Sequence, residues 1–161
     1  MKKNKKTSVA ITFLVLALSL GMMLGLYGCP PKPPEDPNTE PVVLFLPNSN
    51  ADGFKVKAAL CDGSAGHIVS LLVDEGALPQ GCALNSFTLT GANSAALDMN
   101  AEFGQALTNT GTTGEYLYAG SLINTLLVFF EIDEITLTVE GEILVTGHII
   151  YDQPLTFYEN Y

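Results

Sequence analysis

The sequence predicts an α+β fold for residues 42–161, a two-layer sandwich with two helices packed on one face of a mostly antiparallel sheet. Three observations predict it. Short runs in this range alternate apolar and polar residues, a pattern typical of half-buried strands, and turn-forming residues separate them in pairs. Two longer stretches repeat apolar residues at helical spacing. The resulting order is β-β-α-β-β-α-β, with a short final strand left open, and 120 residues are enough for one core.

The first two strands are predicted to form a hairpin. Val42–Leu46 is a short apolar run that ends at Pro47, and residues Asn48–Gly53 are turn-forming. Phe54–Leu60 then alternates with period two, so its apolar side chains share one face while its two lysines point outward. The shared face consists of Phe54, Val56, Ala58 and Leu60, and the outward pair of Lys55 and Lys57.

A helix and a second hairpin are predicted next. Asp62-Gly63-Ser64 offers helix caps, and a helical stripe then continues until Gly76 ends the helix. The stripe consists of Ile68, Leu71, Leu72 and Glu75. Leu84–Thr90 and Ala95–Asn100 are predicted strands joined by a turn over residues 91–94.

The second predicted helix is the longer one. Thr112 and Glu115 form a capping box, in which each side chain satisfies a free backbone amide at the helix start. An apolar stripe at helical spacing follows and is predicted to be buried. It consists of Ala119, Leu122, Ile123, Leu126, Leu127 and Phe130. Ile135–Val139 then alternates as a strand, and Glu140-Gly141 turns the chain into residues 142–145.

Residues 1–28 are typical of a lipoprotein signal peptide. Four lysines among the first six residues precede the apolar stretch Val9–Leu26, and Leu26-Tyr27-Gly28 then leads to Cys29. We expect Cys29 to be lipidated, with acyl chains such as palmitate, and the chain to be held at the extracytoplasmic face of the cell membrane. The alternative is an uncleaved membrane helix, although 18 residues are at the lower edge of a spanning length. Either outcome leaves the same side of the membrane exposed.

Residues 29–41 are predicted to be a tether between this anchor and the globular domain. Six of the twelve residues 30–41 are proline, which excludes a helix and favours extended polyproline II. At ~3.1 Å per residue, such a spacer would reach about 37 Å from the bilayer. The predicted organisation is therefore a signal peptide at 1–28, a lipidated tether at 29–41 and one domain at 42–161.

The charge of the chain restricts its partners. The whole chain has seven lysines, no arginine and 17 acidic residues. Without residues 1–28, which hold four lysines, the formal charge is 3 − 17 = −14. A surface this acidic repels nucleic-acid phosphates, so no nucleic-acid partner is expected, whereas basic proteins or cations are compatible with it. The charge is equally explained as a means of keeping an exported domain soluble.

Cys61 and Cys82 remain once Cys29 is assigned to the anchor. An extracytoplasmic location permits a disulfide between them, worth ~3 kcal/mol by the chain-entropy estimate for a loop of about twenty residues. Spacing alone cannot establish the geometry, so Cys61–Cys82 is a candidate disulfide and the free thiols are the alternative.

Several motifs that could carry chemistry have simpler explanations. Ser64 follows a predicted strand as a catalytic serine would, with His67 nearby, but that turn requires glycine where Asp62 stands. Ser64 is therefore predicted to cap the helix. Asn48-x-Asn50-x-Asp52-Gly53 has the spacing of a calcium loop but lacks its acidic ends, so a plain hairpin turn is favoured.

The remaining titratable residues also have simpler explanations than a catalytic or metal site. His67 and His148 do not form a zinc spacing with either domain cysteine. Glu131, Asp133 and Glu134 are predicted to form a solvated face between a helix and a strand. We therefore expect no catalytic residue, no metal ion and no cofactor.

Six segments of the domain resemble the GerMN domain of GerM-type sporulation and germination lipoproteins. The resemblance covers roughly residues 42–155, and order and spacing together carry it. The segments are Val43–Ser49, Ala77–Cys82, Ala96–Phe103, Ser121–Leu127, Ile132–Ile135 and Val139–Glu142, with Gly147-His148 and Pro154-Leu155 as a tail. The family usually has Gly-Pro after the first helix, where this chain has Asp74-Glu75-Gly76-Ala77.

The resemblance implies a non-enzymatic role in assembling the cell envelope, in connection with sporulation or germination. GerM has two such domains and this chain has room for one. Four polar residues in the matched segments are predicted to be structural rather than functional. They are Asp98, Asn100, Asn124 and Thr125.

We therefore expect a membrane-anchored interaction module that docks onto another envelope protein through a sheet edge or a helix face. The first alternative is a lipoprotein that binds a cell-wall fragment or a cation. The second is an enzyme that acts on peptidoglycan.

Overall fold

The computed structural model of the chain describes residues 38–160. The predicted signal peptide, the lipidation at Cys29 and most of the predicted tether lie outside these described residues. Among residues 38–160, none of the helices combines the length and the apolar character that crossing a membrane requires.

Five strands and three helices make up the described part of the chain. In chain order they are β1 Glu40–Pro47, β2 Phe54–Cys61, α1 Ala65–Asp74, β3 Leu84–Leu89, β4 Ser94–Met99, α2 Ala101–Thr108, α3 Thr112–Phe130 and β5 Glu134–Val139. The predicted α+β class is confirmed, and so are both hairpins and both predicted helices.

The strands are divided between two sheets rather than joined in one. β1 and β2 form an antiparallel pair, and β3, β4 and β5 form a second sheet in that order. β3 and β4 are antiparallel, whereas β4 and β5 run parallel, from Ser94↔Glu134 to Met99↔Val139. Parallel neighbours require a long crossover, and α2 and α3 supply it between β4 and β5.

Helix α2 is the element that the sequence analysis did not predict. The Asn100 side chain caps it by accepting a hydrogen bond from the Phe103 amide at 3.3 Å, and Phe103 and Leu107 are its buried anchors. With eight residues, the helix shows a single i, i+4 apolar pair, which is too little periodicity to distinguish it from a loop.

Helix α3 lies at the centre of the hydrophobic core. Its predicted stripe is buried from Ala119 to Leu127, with Phe130 half-buried at the end. Ser121, Asn124 and Thr125 are also fully buried, so the helix contacts protein on nearly every side. Val42, Leu44 and Leu46 of β1 and Leu97 and Met99 of β4 belong to the same core cluster.

The predicted capping box at the start of α3 is wrong. Gly111 is the N-cap residue, and no side-chain hydrogen bond caps the start of this helix. Glu115 is instead fully buried, and its Oε1 atom accepts hydrogen bonds from the hydroxyls of Thr146 at 2.7 Å and Tyr151 at 3.0 Å. The segment after β5 therefore packs over the first turns of α3, and its hydroxyl groups bind the Glu115 carboxylate.

The chain after β5 forms isolated bridges rather than the short final strand that was left open. Val139 bridges Glu142, Val145 bridges Ile150, and Ile135 bridges Leu155. The last of these bridges leads residues 155–160 from the second sheet towards the β1–β2 hairpin.

Candidate docking surface

The core decides which side chains of the β1–β2 hairpin are exposed. Val42, Leu44 and Leu46 of β1 are buried, and their partners in the register are Ala59, Lys57 and Lys55. Residues opposite each other in an antiparallel pair share a face. Ala59 and Cys61 are therefore on the core side of β2, and Val56, Ala58 and Leu60 are on the far side.

Apolar side chains on that far side face solvent. Val43 is 41% exposed, Val56 65%, Leu60 51% and the nearby Phe157 42%. We call Val43, Phe45, Val56, Leu60 and Phe157 the hairpin face. A contiguous exposed group of this kind on a small domain is typical of an interaction site.

This arrangement corrects one detail of the predicted hairpin. Phe54, Val56, Ala58 and Leu60 do share a face, but Val56, Ala58 and Leu60 are exposed on it, and Phe54 alone packs on α3. Lys55 and Lys57 are exposed as expected, at the end of the core side where Lys57 pairs with Glu75 at 2.7 Å. Period two identifies the two faces of a strand, and only the packing of β1 on α3 decides which one is buried.

Phe157 reaches the hairpin face because residues 155–160 are fastened across α3. The Asn124 side chain donates from Nδ2 to the Tyr158 carbonyl and accepts from the Tyr158 amide, both at 2.8 Å. Asn160 Oδ1 accepts from the Phe54 amide at 2.7 Å, and the Tyr116 hydroxyl donates to the Glu159 carbonyl. The Phe157 ring then meets the Phe45 ring edge to face, with centroids 5.4 Å apart.

Thr125 holds the hairpin from the other side. Its Oγ1 atom accepts a hydrogen bond from the Phe45 amide at 3.0 Å and donates to the Ser121 carbonyl at 2.7 Å. The edge of β1 that does not pair with β2 is thus bonded to α3. Asn124 and Thr125 are buried, and their side chains hold backbone segments, in agreement with the structural role predicted for them.

Gly120 allows these elements to approach α3 closely. A Cβ atom at this position would lie 2.3 Å from Phe54 Cζ and 3.1 Å from Tyr158 Cβ. Only glycine leaves room there for both the hairpin and the C-terminal segment.

Asp98 and Asn100 are structural as well. Asp98 Oδ1 accepts hydrogen bonds from the Thr138 hydroxyl at 2.6 Å and the Gly141 amide at 2.7 Å. The Thr138 hydroxyl in particular holds the pKa of Asp98 below its usual range. Asn100 caps α2 and bonds the chain before β3, accepting from Ala83 N at 3.0 Å and donating to Gly81 O at 2.8 Å.

Ser64, Asp62 and His67 lie together, but their hydrogen bonds are those of a helix cap. Ser64 Oγ accepts from the His67 amide at 3.1 Å and donates to Asp62 Oδ1 at 2.6 Å, a bond that lowers the pKa of Asp62. His67 Nδ1 accepts from the Asp62 amide at 3.1 Å. The imidazole does not contact the Ser64 hydroxyl, as a general base would have to do.

Hydrogen bonds between its own residues hold the Asn48–Gly53 turn. Asn48 Oδ1 accepts from the amides of Asn50 and Asp52, and Asn48 Nδ2 donates to Asp52 Oδ1 at 2.7 Å. These bonds are typical of an Asx turn and agree with the predicted hairpin turn.

The other residues singled out in the sequence stay apart. Cys61 and Cys82 are buried and both are free thiols in the structure, so their bridge stays a prediction. Burial, together with the negative charge of Glu102, raises the pKa of the Cys82 thiol to about 11. Within residues 38–160, no three His, Cys, Asp or Glu side chains are grouped as metal ligands. His148 and the acidic residues at 131, 133 and 134 are exposed, the latter as expected.

A second exposed apolar group, which the sequence analysis missed, lies on the segment after β5. We call it the arm; it consists of Ile143, Val145, Ile149 and Ile150, each between 37% and 60% exposed. Thr146 and Tyr151 fix the base of the arm to Glu115. The missed signal is the aliphatic composition of residues 143–150, which resembles a buried strand. The contribution of residues 157–160 was also missed, although Phe157-Tyr158 is an aromatic pair in a polar tail.

The model of the Germane family, described as sporulation and spore germination, matches residues 43–145. The tandem GerMN domains of the sporulation protein GerM from Bacillus subtilis are 19% identical, with a TM-score of 0.57, over 73% of this chain and 46% of that one. The chain thus spans less than half of that tandem structure. A comparison with curated proteins gives no match.

A single domain of the same protein is also similar. The first GerMN domain of GerM from Bacillus subtilis is 20% identical, with a TM-score of 0.55, over 73% of this chain and 97% of that one. At this identity the structural likeness shows the fold. With the family match, it confirms the GerMN-type domain predicted from the sequence.

Proposed function

The chain belongs to the Germane family of sporulation and spore germination, and on that basis we propose that it is a non-catalytic interaction module of the bacterial cell envelope. It would be a lipoprotein anchored through Cys29 at the extracytoplasmic face of the membrane. Its globular domain would bind another envelope protein and thereby support an assembly connected with sporulation or germination.

The observation that carries this proposal is the hairpin face. Val43, Val56, Leu60 and Phe157 are exposed apolar side chains, and hydrogen bonds from the buried side chains of Asn124 and Thr125 hold the backbone beneath them. Presenting apolar side chains to water is unfavourable unless a partner covers them, and a preorganised surface loses little entropy on binding.

Charge supports a partner of particular chemistry. Residues 38–160 contain 15 acidic residues and the two lysines of β2. A partner with an apolar contact surface and a basic rim would be steered to this domain and would not be repelled by it.

The hydrogen bonds around Ser64 support a non-catalytic role. The serine hydroxyl donates to a carboxylate and accepts from a backbone amide, so it caps the N-terminus of α1. The buried side chains of Asn124 and Thr125 on α3 likewise hold backbone segments rather than converge on a cleft.

Site-specific photocrosslinking in intact cells tests the docking surface. A photoreactive residue at Val56 is expected to crosslink one discrete envelope protein, in a product whose mass differs from that of two crosslinked copies of this chain. Leu60→Lys is expected to abolish that product. A photoreactive residue at Leu89, which is 54% exposed on β3, is the matched control and should not yield it. Equal crosslinking from both positions, or an unchanged product with Leu60→Lys, would contradict the assignment of the hairpin face.

Membrane anchoring is tested separately. The mature chain is expected to carry acyl mass on Cys29 and to sediment with membranes, whereas Cys29→Ser should release the protein or leave residues 1–28 uncleaved. Recovery of the unmodified chain with Met1 in the cytosol would contradict the lipoprotein proposal.

A further inference from the structure

We propose that two copies of this chain pair through the free edge of β2, antiparallel and symmetric about Ala58, to join their hairpins into one four-stranded sheet. This pairing uses the edge of the hairpin, whereas the proposed envelope partner uses its face. A result that contradicts one of these two proposals therefore leaves the other unaffected.

Two hydrogen bonds establish which backbone groups form the free edge. The Phe45 amide points to Thr125 Oγ1, away from β2, so Phe45 and its register partner Val56 exchange no ladder bonds. The Phe54 amide points away from β1 to Asn160 Oδ1. Because these directions alternate along a strand, the amides and carbonyls of Val56, Ala58 and Leu60 point outward.

The free part of this edge is bounded at both ends. The Phe54 amide already donates a hydrogen bond to Asn160 Oδ1, and the Asp62 amide already donates one to His67 Nδ1. Between these two positions, the outward-pointing backbone amides and carbonyls of Val56, Ala58 and Leu60 have no hydrogen-bond partner within residues 38–160. Ala58 is the middle of this window.

A second copy of β2 fits the window with every outward group paired. In the antiparallel pairing centred on Ala58, Val56 lies opposite Leu60 of the other copy, and the two Ala58 residues lie opposite each other. All three residues on each strand then exchange ladder bonds. Their side chains form apolar cross-strand pairs, which stabilise a sheet.

Charge selects this register over its neighbours. Moving the centre to Lys57 places the two Lys57 residues opposite each other, and moving it to Val56 places Lys55 opposite Lys57. Like charges directly opposite are destabilising. Moving the centre the other way, to Ala59, sets Val56 opposite Asp62, whose amide is already used. In the Ala58 register, each lysine faces the uncharged Ala59 or Cys61.

The same strand is where two acidic copies repel each other least. Both lysines of residues 38–160 lie on β2, against 15 acidic residues elsewhere in that range. Lys57 also carries its own counter-charge, since its Nζ atom lies 2.7 Å from both Glu75 carboxylate oxygens. The preceding residues 30–37 would fit the window poorly, because five prolines remove amide donors from that segment.

Edge pairing of one short strand buries less than the roughly 1,600 Å² of a standard interface, so we expect a weak dimer in dilute solution. Confining both copies to one membrane surface raises their effective concentration. Crosslinking of the full chain in intact cells is therefore the appropriate assay.

Cysteine crosslinking reads the register directly. Under mild oxidation, the full chain with Ala58→Cys should form a disulfide-linked dimer at least about tenfold faster than with Val56→Cys or Lys57→Cys. In the proposed register, only position 58 lies directly opposite the same position of the second copy, at a distance that a disulfide can span. Val56 is exposed too, so random collision would crosslink both positions alike. The unsubstituted chain, which retains all its cysteines, gives the background. Equal or faster crosslinking from position 56 or 57 would overturn the proposal.

Amide exchange gives a second, independent readout. The Leu60 amide should be protected at high concentration of the full chain and lose that protection on dilution. Ala58→Pro removes an outward amide and leaves the ladder with β1 intact, so it should abolish the protection, whereas Ala58→Val should keep it. Protection that is independent of concentration and survives Ala58→Pro would show another segment of the same chain on this edge and overturn the proposal. Circular dichroism is the control that checks whether both variants fold.

Discussion

The side-chain amide of Asn124 pairs with the backbone of Tyr158 as a neighbouring strand would, donating to its carbonyl and accepting from its amide at 2.8 Å each. Asn124 is fully buried in the middle of α3, where water cannot replace either bond. This pair fastens the C-terminal segment across the central helix and so places Phe157 beside Phe45 on the hairpin face.

Asn124→Leu should therefore lower the free energy of unfolding by about 2–4 kcal/mol, because it leaves the amide and carbonyl of Tyr158 unpaired in a partly buried place. Urea denaturation measures the loss. Val128→Ala, at an exposed position of the same helix, is the control and should change stability by less than about 1 kcal/mol. Equal effects of the two substitutions would show that the Asn124 bonds contribute little.

Gly120→Ala should destabilise the protein by about 1–3 kcal/mol, because the new methyl group would overlap the Phe54 ring and must displace the hairpin or the C-terminal segment. Thermal unfolding measures the change. Gly147→Ala is the matched control, since no atom lies within 4 Å of a Cβ there. A stability unchanged by Gly120→Ala would mean that Phe54 can move aside at no cost.

Stability should decline above pH 10. Burial, the largest cause, raises the pKa of Tyr158 to about 12 and also raises that of Tyr151, next to Glu115. Their neutral forms are favoured in the folded chain, so this stabilisation is complete below the unfolded pKa of about 10 and is lost as the pH rises through the folded values. Each tyrosine contributes a slope of up to about 1.4 kcal/mol per pH unit.

Urea unfolding at stepped alkaline pH checks this expectation. Tyr151→Phe removes one ionisation and should reduce the slope between pH 10 and 12. A free energy of unfolding that stays constant over that range would contradict the prediction.

Cys82 should resist alkylation at pH 8 in the native protein. Burial raises its pKa to about 11, so little of the thiol is in the reactive thiolate form. Mass spectrometry should find Cys82 unlabelled until a denaturant is added. Rapid labelling of native Cys82 would contradict the prediction. Failure to label either Cys61 or Cys82 even after unfolding without a reductant would show that the candidate disulfide forms.

Local pattern was sufficient to predict much of the fold. The runs around Pro47 and Gly91 predicted two hairpins, and Ser64 was correctly expected to cap α1. The stripe from Ala119 to Leu127 predicted the helix that forms the core. These features depend on residues close in the chain, whose periodicity and turn chemistry act before any tertiary contact is made.

The candidate site was much less predictable. Glu115 satisfied the spacing of a capping box, but its carboxylate bonds Thr146 and Tyr151 instead. Phe157 lies 112 residues beyond Phe45 in the chain, and no local pattern connects them. Such contacts depend on how separate elements pack.

By itself, the amino-acid order determined the α+β class, most of the strands and helices, and membership of the family, since each of these follows from short-range periodicity and motif spacing. Tertiary structure alone decided which side of β2 is buried and which edge remains open. Alternation makes the two faces of a strand equivalent until a neighbour covers one. Here α3 covers β1, and this leaves the apolar row from Val56 to Leu60 in water.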